Sequence, residues 1–369
     1  MEGPARSFLR AAFRRYYVQK VSRVEVPPEI HQREFGVLTF DDAMVRHLSC
    51  RDEGELRSLL LREAPKSAYC SVSYYELPSG QMEEKGWLRS DLVFDIDSDT
   101  LDLPCRAEHE LHVCRACGAT FRRPGQACSS CGGTNVEPVG WTCERCLEGA
   151  MVEVMKLTDF LEKDFGVLSG NVVVYFSGNA GYHVHVVGSQ YDLLNQGGRA
   201  EMVDYMSGKG LLPKHIGLST RWSDAPPSPD EPGWRGRAGR YASELYRLPP
   251  KEAFARASGG PKAFLDGMVA KLGARVDAGV TIDIHRILRM AGTLHNKSGL
   301  AKKRVDMAES PFETAVGLDE EPARVEVLFS PGFTLKGQSF GPFKKEAVTL
   351  PTYAAAYLVA KGLAAPQSG

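Results

Sequence analysis

The chain has almost no net charge. Its 369 residues carry 45 Lys and Arg against 46 Asp and Glu, a formal balance of −1. This excludes the global electrostatic signature of a nucleic-acid binder, so any such contact must come from local patches. Long apolar runs are also missing, and a stretch such as Val172–Phe176 is far too short to cross a bilayer. No Gly-Lys-Ser or Gly-Lys-Thr stands where a Walker-type phosphate loop requires it, and no internal repeat is found. The sequence is expected to belong to a protein without a secretion signal. The Arg-rich, acid-free segment Ala5 to Lys20 shares traits with a transit peptide, but its aromatic content and continuation into Pro27-Pro28-Glu29-Ile30 read as a folded helix of a cytoplasmic protein. The length allows two domains or one elaborated domain.

Cysteine is plentiful, yet its distribution argues against a disulfide framework. Seven of the nine cysteines crowd between Cys105 and Cys146, and six of those form Cys-x-x-Cys pairs, a zinc pattern in a chain of this kind. Cys114-x2-Cys117 and Cys128-x2-Cys131 have the spacing of a zinc ribbon, with Gly118, Gly132 and Gly133 suited to the turns. Two tetrahedral ions need eight ligands, which the seven cysteines and one histidine, His109 or His112, supply. A nested arrangement follows: Cys114, Cys117, Cys128 and Cys131 on one ion; Cys105, one histidine, Cys143 and Cys146 on the other. An interleaved pairing stays open at this point. Neither set implies a free coordination position, so both read as structural. Arg122 and Arg123 mark the ribbon tip, and Cys50 and Cys70 read as ordinary buried thiols.

The run Asp91-Leu-Val-Phe-Asp-Ile-Asp97 carries the most chemistry. Successive strand side chains point to opposite faces, so Leu92, Phe94 and Ile96 enter a core while Val93, Asp95 and Asp97 share the other face. Carboxylates about 7 Å apart on one strand repel unless a cation lies between them, and hard divalent cations prefer oxygen ligands. The structural alternative is an edge strand with a solvated acidic face. Val280-Thr-Ile-Asp-Ile284 repeats the alternation and is expected to be a strand. If the two strands are neighbours, Asp95, Asp97 and Asp283 converge, as needed to hold one or two Mg²⁺ or Mn²⁺ ions against a nucleoside triphosphate. Taken alone, Asp283 reads as an N-cap for a short helix over His285–Met290.

On that expected helix Arg286 and Arg289 share one side. His295-Asn-Lys-Ser-Gly299 follows, a polar turn in which His295, Lys297 and Ser298 offer donors for phosphate oxygens. The turn Ser177–His183 joins two strands. Gly178 and Gly181 permit close backbone approach to a ligand, Ser177 and His183 add donors, and His185 on the same face reads as structural. Further expected elements are a helix within residues 1–30, strands over Glu34–Phe40 and Tyr69–Glu76, and a helix over 52–63. A long helix begins near Leu147, helical pieces fill 190–275 around a surface loop at Asp224–Arg240, and a helix spans Thr352–Lys361. Helices and strands are mixed, which points to an α/β (α+β) fold with a zinc-binding insertion.

Several runs together resemble the small catalytic subunit of archaeal and eukaryotic DNA primase: Arg33-Glu-Phe-Gly36, Tyr74-Tyr-Glu76, Lys85 through Asp97, the Ser177–His183 turn, and Asp283-Ile-His-Arg-Ile-Leu-Arg289 through His295 to Gly299. The resemblance extends from near residue 16 to the C-terminal helix. It implies an RRM-like mixed-sheet catalytic core in three parts, 1–104, 147–190 and 276–369. The zinc insertion then covers 105–146, and a helical subdomain with a mobile loop covers 191–275. It also implies catalytic metal ligands at Asp95, Asp97 and Asp283, with Ser177, His183, Arg289 and His295 on the phosphates of the incoming nucleotide. It further implies a nucleotidyltransferase that builds primers on single-stranded DNA, paired with a large regulatory subunit bearing an iron–sulfur cluster. Family members often carry Arg inside the Ser-Gly turn, where this chain has Asn179-Ala180. His285 stands where Lys is frequent, and Met290-Ala291 replaces a common Leu-Pro. Two other readings remain: a primase-related repair polymerase, and a non-enzymatic zinc-ribbon nucleic-acid binder whose acids are structural.

Overall fold

The structure, a computed structural model, describes residues 3–109, 111–121, 127–218, 226–256, 259–306 and 309–367. The alternation of the acidic run becomes a strand, Leu92–Asp97, with Leu92, Phe94 and Ile96 in the main core. Val93, on the other face, joins a small separate cluster with Val72, Val280 and Leu288. The strand pairs antiparallel with Gly181–Val186, then Val172–Phe176, then Lys303–Arg304. Gly181 lies opposite Asp97, and a Cβ there would fall 1.9 Å from the Ile96 carbonyl oxygen, so only glycine closes the pair. Helix Glu144–Lys163 packs against Gly181–Val186 and Leu92–Asp97 and buries Leu147, Val154, Leu157, Phe160 and Leu161.

A second sheet is built on Ser67–Tyr75. Arg33–Leu38 pairs along one edge and carries Met44–Leu48, while Ile287–Arg289 and Trp87–Ser90 share the other edge. The chain leaves this sheet after Ser90 and enters the acidic strand through Asp91. Arg33, fully buried, donates to Asp91 Oδ2 at 2.7 Å and to the carbonyls of Ser71 and Val72 at 2.9 and 3.0 Å. Tyr74 donates to Asp91 Oδ1 at 3.0 Å, and buried Arg199 donates to the carbonyls of Ser90 and Asp91. Every polar group at this crossing therefore has a partner, the condition for burying it. Elsewhere the strands Pro322–Ser330, Phe343–Pro351 and Ala364–Pro366 form a third sheet. Helix Thr352–Ala360, buried over residues 352–359, packs between that sheet and the first helix, Pro4–Lys20. All strand pairs among the described residues are antiparallel, and the fold is α/β in the α+β sense.

Three expectations are corrected. Residues Ala278–Ile282 form a short helix rather than a strand, because the Asp277 side chain accepts from Gly279 N at 2.8 Å and caps it. The apolar alternation there is only five residues long, too short to separate the two periods. His285–Met290 is no helix: Ile287–Arg289 is a strand whose backbone pairs with Tyr69–Ser71. In the loop expected at Asp224–Arg240, residues 224 and 225 lie outside the described residues. Gly233–Tyr246 is a helix, held by Arg237 to Asp159 and Asp164. Gly239 lies within that helix, where a Cβ would meet Pro229 N at 2.6 Å, so glycine there marks close packing rather than a loop.

Gly181→Ala is expected to destabilise the chain by more than about 2 kcal/mol, since the overlap is with backbone that cannot give way. A thermal midpoint at or above that of the wild type would contradict this account of the register.

Candidate active site and metal-binding sets

Both sheets contribute to one cleft of about 480 Å³. Asp95 and Asp97 enter from the acidic strand, Ser177 and His183 from its neighbour, and Asp283, Arg286 and Arg289 from the segment that rejoins the second sheet. His295 and Lys297 come from the polar turn. Gly178, at φ +91°, stands against that turn: a Cβ would meet the Leu300 carbonyl oxygen at 3.0 Å and His295 Cβ at 3.1 Å. Ser298 donates to the Gly178 carbonyl oxygen, so the two turns are tied together.

The position of Asp283 is set by the residues after it. Ile284 accepts from Ser73 and Ser90 side chains, His285 stacks on Tyr75 with Nδ1 3.1 Å from the phenol oxygen, and Val72 N donates to Arg286 O at 2.9 Å. Asp283 Oδ1 accepts from His285 N at 2.9 Å, but no helix follows it, so this is a local turn contact and not the N-cap the sequence suggested. Arg289 donates to Ser177 O at 3.2 Å, and its Nε is buried without a partner among the described residues. Arg286 is exposed at the cleft rim.

The electrostatics of the cleft follow from burial and from like charges set close together. Burial first, then repulsion from Asp97 and Asp277, pushes Asp95 up to about 7. Burial and Asp99 push Asp97 up to about 6. The bases lining the cleft shift the opposite way: burial holds His183, the cross-strand partner of Asp95, and His295 and Arg289 below their ordinary values. His183 is therefore neutral, and its Nε2, 3.5 Å from Asp95 Oδ1, makes a polar contact rather than an ion pair. Asp95 Oδ1 is buried with no hydrogen-bond partner among the described residues. A carboxylate oxygen left in that state is costly unless a cation takes it, and an all-oxygen donor set suits Mg²⁺ or Mn²⁺.

The cysteines form two sets whose ligand atoms lie within 4.8 Å of one another: Cys114, Cys117, Cys128 and Cys131; and Cys105, His109, Cys143 and Cys146. Contacts of 3.7 and 3.6 Å (Cys114 to Cys131, Cys117 to Cys128) and of 3.5 and 3.7 Å (Cys105 to Cys146, Cys143 to Cys146) join the sulfurs. Thiolates at about 2.3 Å from a tetrahedral zinc stand about 3.8 Å apart, whereas a disulfide would bring them to about 2 Å. The spacing fits an ion in each set. His109 Nε2 lies 3.2 Å from Cys146 Sγ; His112, on a strand beside Phe121 and Pro138, does not join either set. Among the described residues no other group brings three ligand atoms so close; the three aspartates are spaced more widely as a set. Arg122 and Arg123 lie outside the described residues.

Sequence reading missed Tyr69 and Asp99 in the cleft; Asn179 and His285, noted in the sequence as departures from the family pattern, line it as well. Asp99 continues the every-second-residue spacing of Asp95 and Asp97 and could have been found that way. Lys302 was also missed: it is buried, and its Nζ lies 3.1 Å from Nε2 of His185, which stacks beside His183. His185 is thus part of a buried polar row behind the cleft.

The profile of the DNA primase small subunit family matches residues 141–307. A protein of Cenarchaeum symbiosum named DNA primase small subunit PriS is 39% identical over 96% of this chain and 97% of its own length. Its namesake in Nitrosopumilus maritimus is 36% identical over 97% of each. This chain belongs to the DNA primase small subunit family. A further primase small subunit, from Saccharolobus solfataricus, is 32% identical over 92% of this chain and 88% of its own length. Membership makes the chain a catalytic primase subunit of DNA replication. No helix among the described residues is long and apolar enough to cross a membrane.

Two outcomes are expected. Metal analysis should find two zinc equivalents per chain, one after Cys128→Ser or His109→Ala, and two after His112→Ala. Two equivalents in the His109 variant would refute the outer set. The folded-state pKa values of Asp95 and Asp97 are raised, so the stability these groups contribute at low pH is lost as pH rises through about 6 to 7. Asp97→Asn should accordingly raise the thermal midpoint of cation-free protein at pH 8 by a few degrees and remove most of the stabilisation by Mn²⁺. A lowered midpoint would show that the carboxylate is already compensated.

Proposed function

We propose that this chain is the primer-synthesising nucleotidyltransferase of its primase, with the cleft as its active site. The observation that carries the reading is the buried, unpartnered oxygen of Asp95 beside Asp97, in a cleft whose opposite wall is basic. Asp95, Asp97 and Asp283 would hold Mg²⁺ or Mn²⁺, which supply activation of the primer 3′-hydroxyl and charge neutralisation on the α-phosphate and departing pyrophosphate. Ser177, His183, Arg289 and His295 orient the triphosphate, with Arg286 and Lys297 adding charge at the rim. Their backbone ties, Arg289 to Ser177 and Ser298 to Gly178, keep these groups aimed before a nucleotide arrives. No side chain has to form a covalent intermediate.

The relatives' name, small subunit, supports a heterodimer with a large regulatory subunit, which would bear the iron–sulfur cluster since the clustered cysteines here are grouped for zinc. Near-zero net charge fits a subunit that shares its grip on single-stranded template DNA. Free thiols and metal-type cysteine sets fit a reducing, cytoplasmic setting. In this reading residues 1–104, 147–190 and 276–369 build the catalytic core, 105–146 the zinc element and 191–275 the helical subdomain.

Nucleotide incorporation on single-stranded DNA with Mg²⁺ or Mn²⁺, with and without the large subunit, tests the assignment. Asp95→Ala should reduce incorporation at least about 100-fold while sparing zinc content and folding. If this variant retains wild-type incorporation, the acids are structural and the catalytic assignment fails.

A further inference from the structure

Behind the cleft, where the two sheets meet, lies a separate cavity of about 180 Å³. Val26, Pro27, Val72, Val173, Leu288 and Met290 make most of its wall apolar. Two acids, Glu25 and Asp91, and three cations, Arg33, Arg289 and Lys302, also line it. Most of these charges are already engaged. Asp91 holds Arg33 at 2.7 Å, Tyr175 donates to Glu25 Oε2 at 2.9 Å, and Arg289 donates to Ser177 O at 3.2 Å.

Lys302 is the exception. It is 2% exposed, and its Nζ lies 3.1 Å from His185 Nε2 and 4.9 Å from the ring centre of Tyr175. Burial holds His185 well below its ordinary value, so this neighbour is neutral and offers a lone pair without a charge. No carboxylate pairs with Lys302 among the described residues. An ammonium buried in this way is costly until an anion meets it.

Size and lining narrow the choice of anion. An apolar cavity of about 150 Å³ accepts benzene, so this one has room for a ring of that size with a carboxylate, and not for a nucleotide. Inorganic phosphate would leave several of its oxygens against apolar walls. Exposed Glu25 at the mouth disfavours a second negative charge.

We propose that this cavity binds a small organic monocarboxylate, with its apolar body against Val72, Val173 and Leu288 and its carboxylate on Lys302. Leu288 and Arg289 line both spaces, so the occupant borders the cleft without entering it.

The test uses the full chain with its large subunit and benzoate as the probe, followed by ligand-observed NMR titration. Benzoate should bind with a Kd of about 1 mM or tighter, the range open to so small a ligand. Benzamide, of the same shape without the charge, should bind at least about tenfold more weakly, the order of one charge-assisted contact. Lys302→Met keeps an apolar chain beside Tyr175 and should remove the preference for benzoate over benzamide. It should also leave the thermal midpoint of the free protein unchanged or higher, because an apolar chain replaces a buried ammonium. Val173→Phe narrows the cavity with Lys302 in place and should weaken both probes. Benzoate affinity unchanged in both variants would place the probe elsewhere and overturn the proposal, as would a wild-type Kd above about 10 mM. A lowered midpoint in Lys302→Met with equal losses for both probes would mark a structural role for the lysine and also overturn it. Phosphate bound as tightly as benzoate, and lost in Lys302→Met, would show a bare anion site and overturn the carboxylate assignment. Binding is read without turnover, so each result leaves the assignment of the cleft as it stands.

Discussion

The cleft depends on the crossing at Asp91, where the chain passes from one sheet into the other. Arg33 reaches Asp91 Oδ2 from the first sheet, Tyr74 reaches Oδ1, and Arg199 holds the carbonyls of Ser90 and Asp91 from the helical region. Arg33 lies 3.4 Å from the ring centre of Tyr74, with Arg89 at 3.8 Å, so the corner is packed as well as bonded. Removing one partner of such a buried pair costs roughly 3–5 kcal/mol, because the other charge is stranded. Asp95 and Asp97 follow four and six residues after the fixed point, on a strand with alternating faces. Their direction into the cleft is therefore set by a contact that takes no part in the chemistry.

Within the cleft like charges are gathered close together, with His183 set between the acids and the other bases. Acids crowd one strand, so burial and mutual repulsion raise them; bases crowd the other wall, so burial lowers them. Lys302, behind the bases, is lowered to about 7 for the same reason. An internal arrangement of this kind is unfavourable by itself and becomes favourable when cations meet the acids and a polyanion meets the bases. If the cleft takes cations and a polyanion as proposed, part of that affinity would be relief of the unfavourable charge arrangement already present in the folded chain.

What could be read from the sequence follows from which interactions are local. The acidic strand was legible because a period of two over Leu92–Asp97 sorts core from cleft, and Val93 even marks the small second core. The nested cysteine sets were legible because Cys-x-x-Cys spacing limits how four sulfurs can meet, although only the fold chooses His109 over His112. The segment 278–290 was not. Its alternation is brief, its helix is decided by the Asp277 cap, and its strand exists only because Ser67–Tyr75 has an edge to fill. Lys302 and Lys361 had no local signature at all. Each is placed by packing between elements far apart in the chain, against Tyr175 for one and Trp141 for the other.

The two cysteine sets carry unequal structural weight. The inner set closes a ribbon around the strands Leu111–Cys114 and Thr120–Phe121, with little core of its own. The outer set joins Cys105 to Cys146 across 41 residues, which closes the insertion at its base. Cys105 follows the end of the acidic segment at Ser98–Leu101, and Cys146 lies in the first turn of the helix that packs behind the same strand. An ion in the outer set would therefore fix the exit of the acidic strand to its own backing helix. The outer set thus bears on where Asp97 and Asp99 stand, and the inner set on the ribbon and its contact with Leu328 and Gly362.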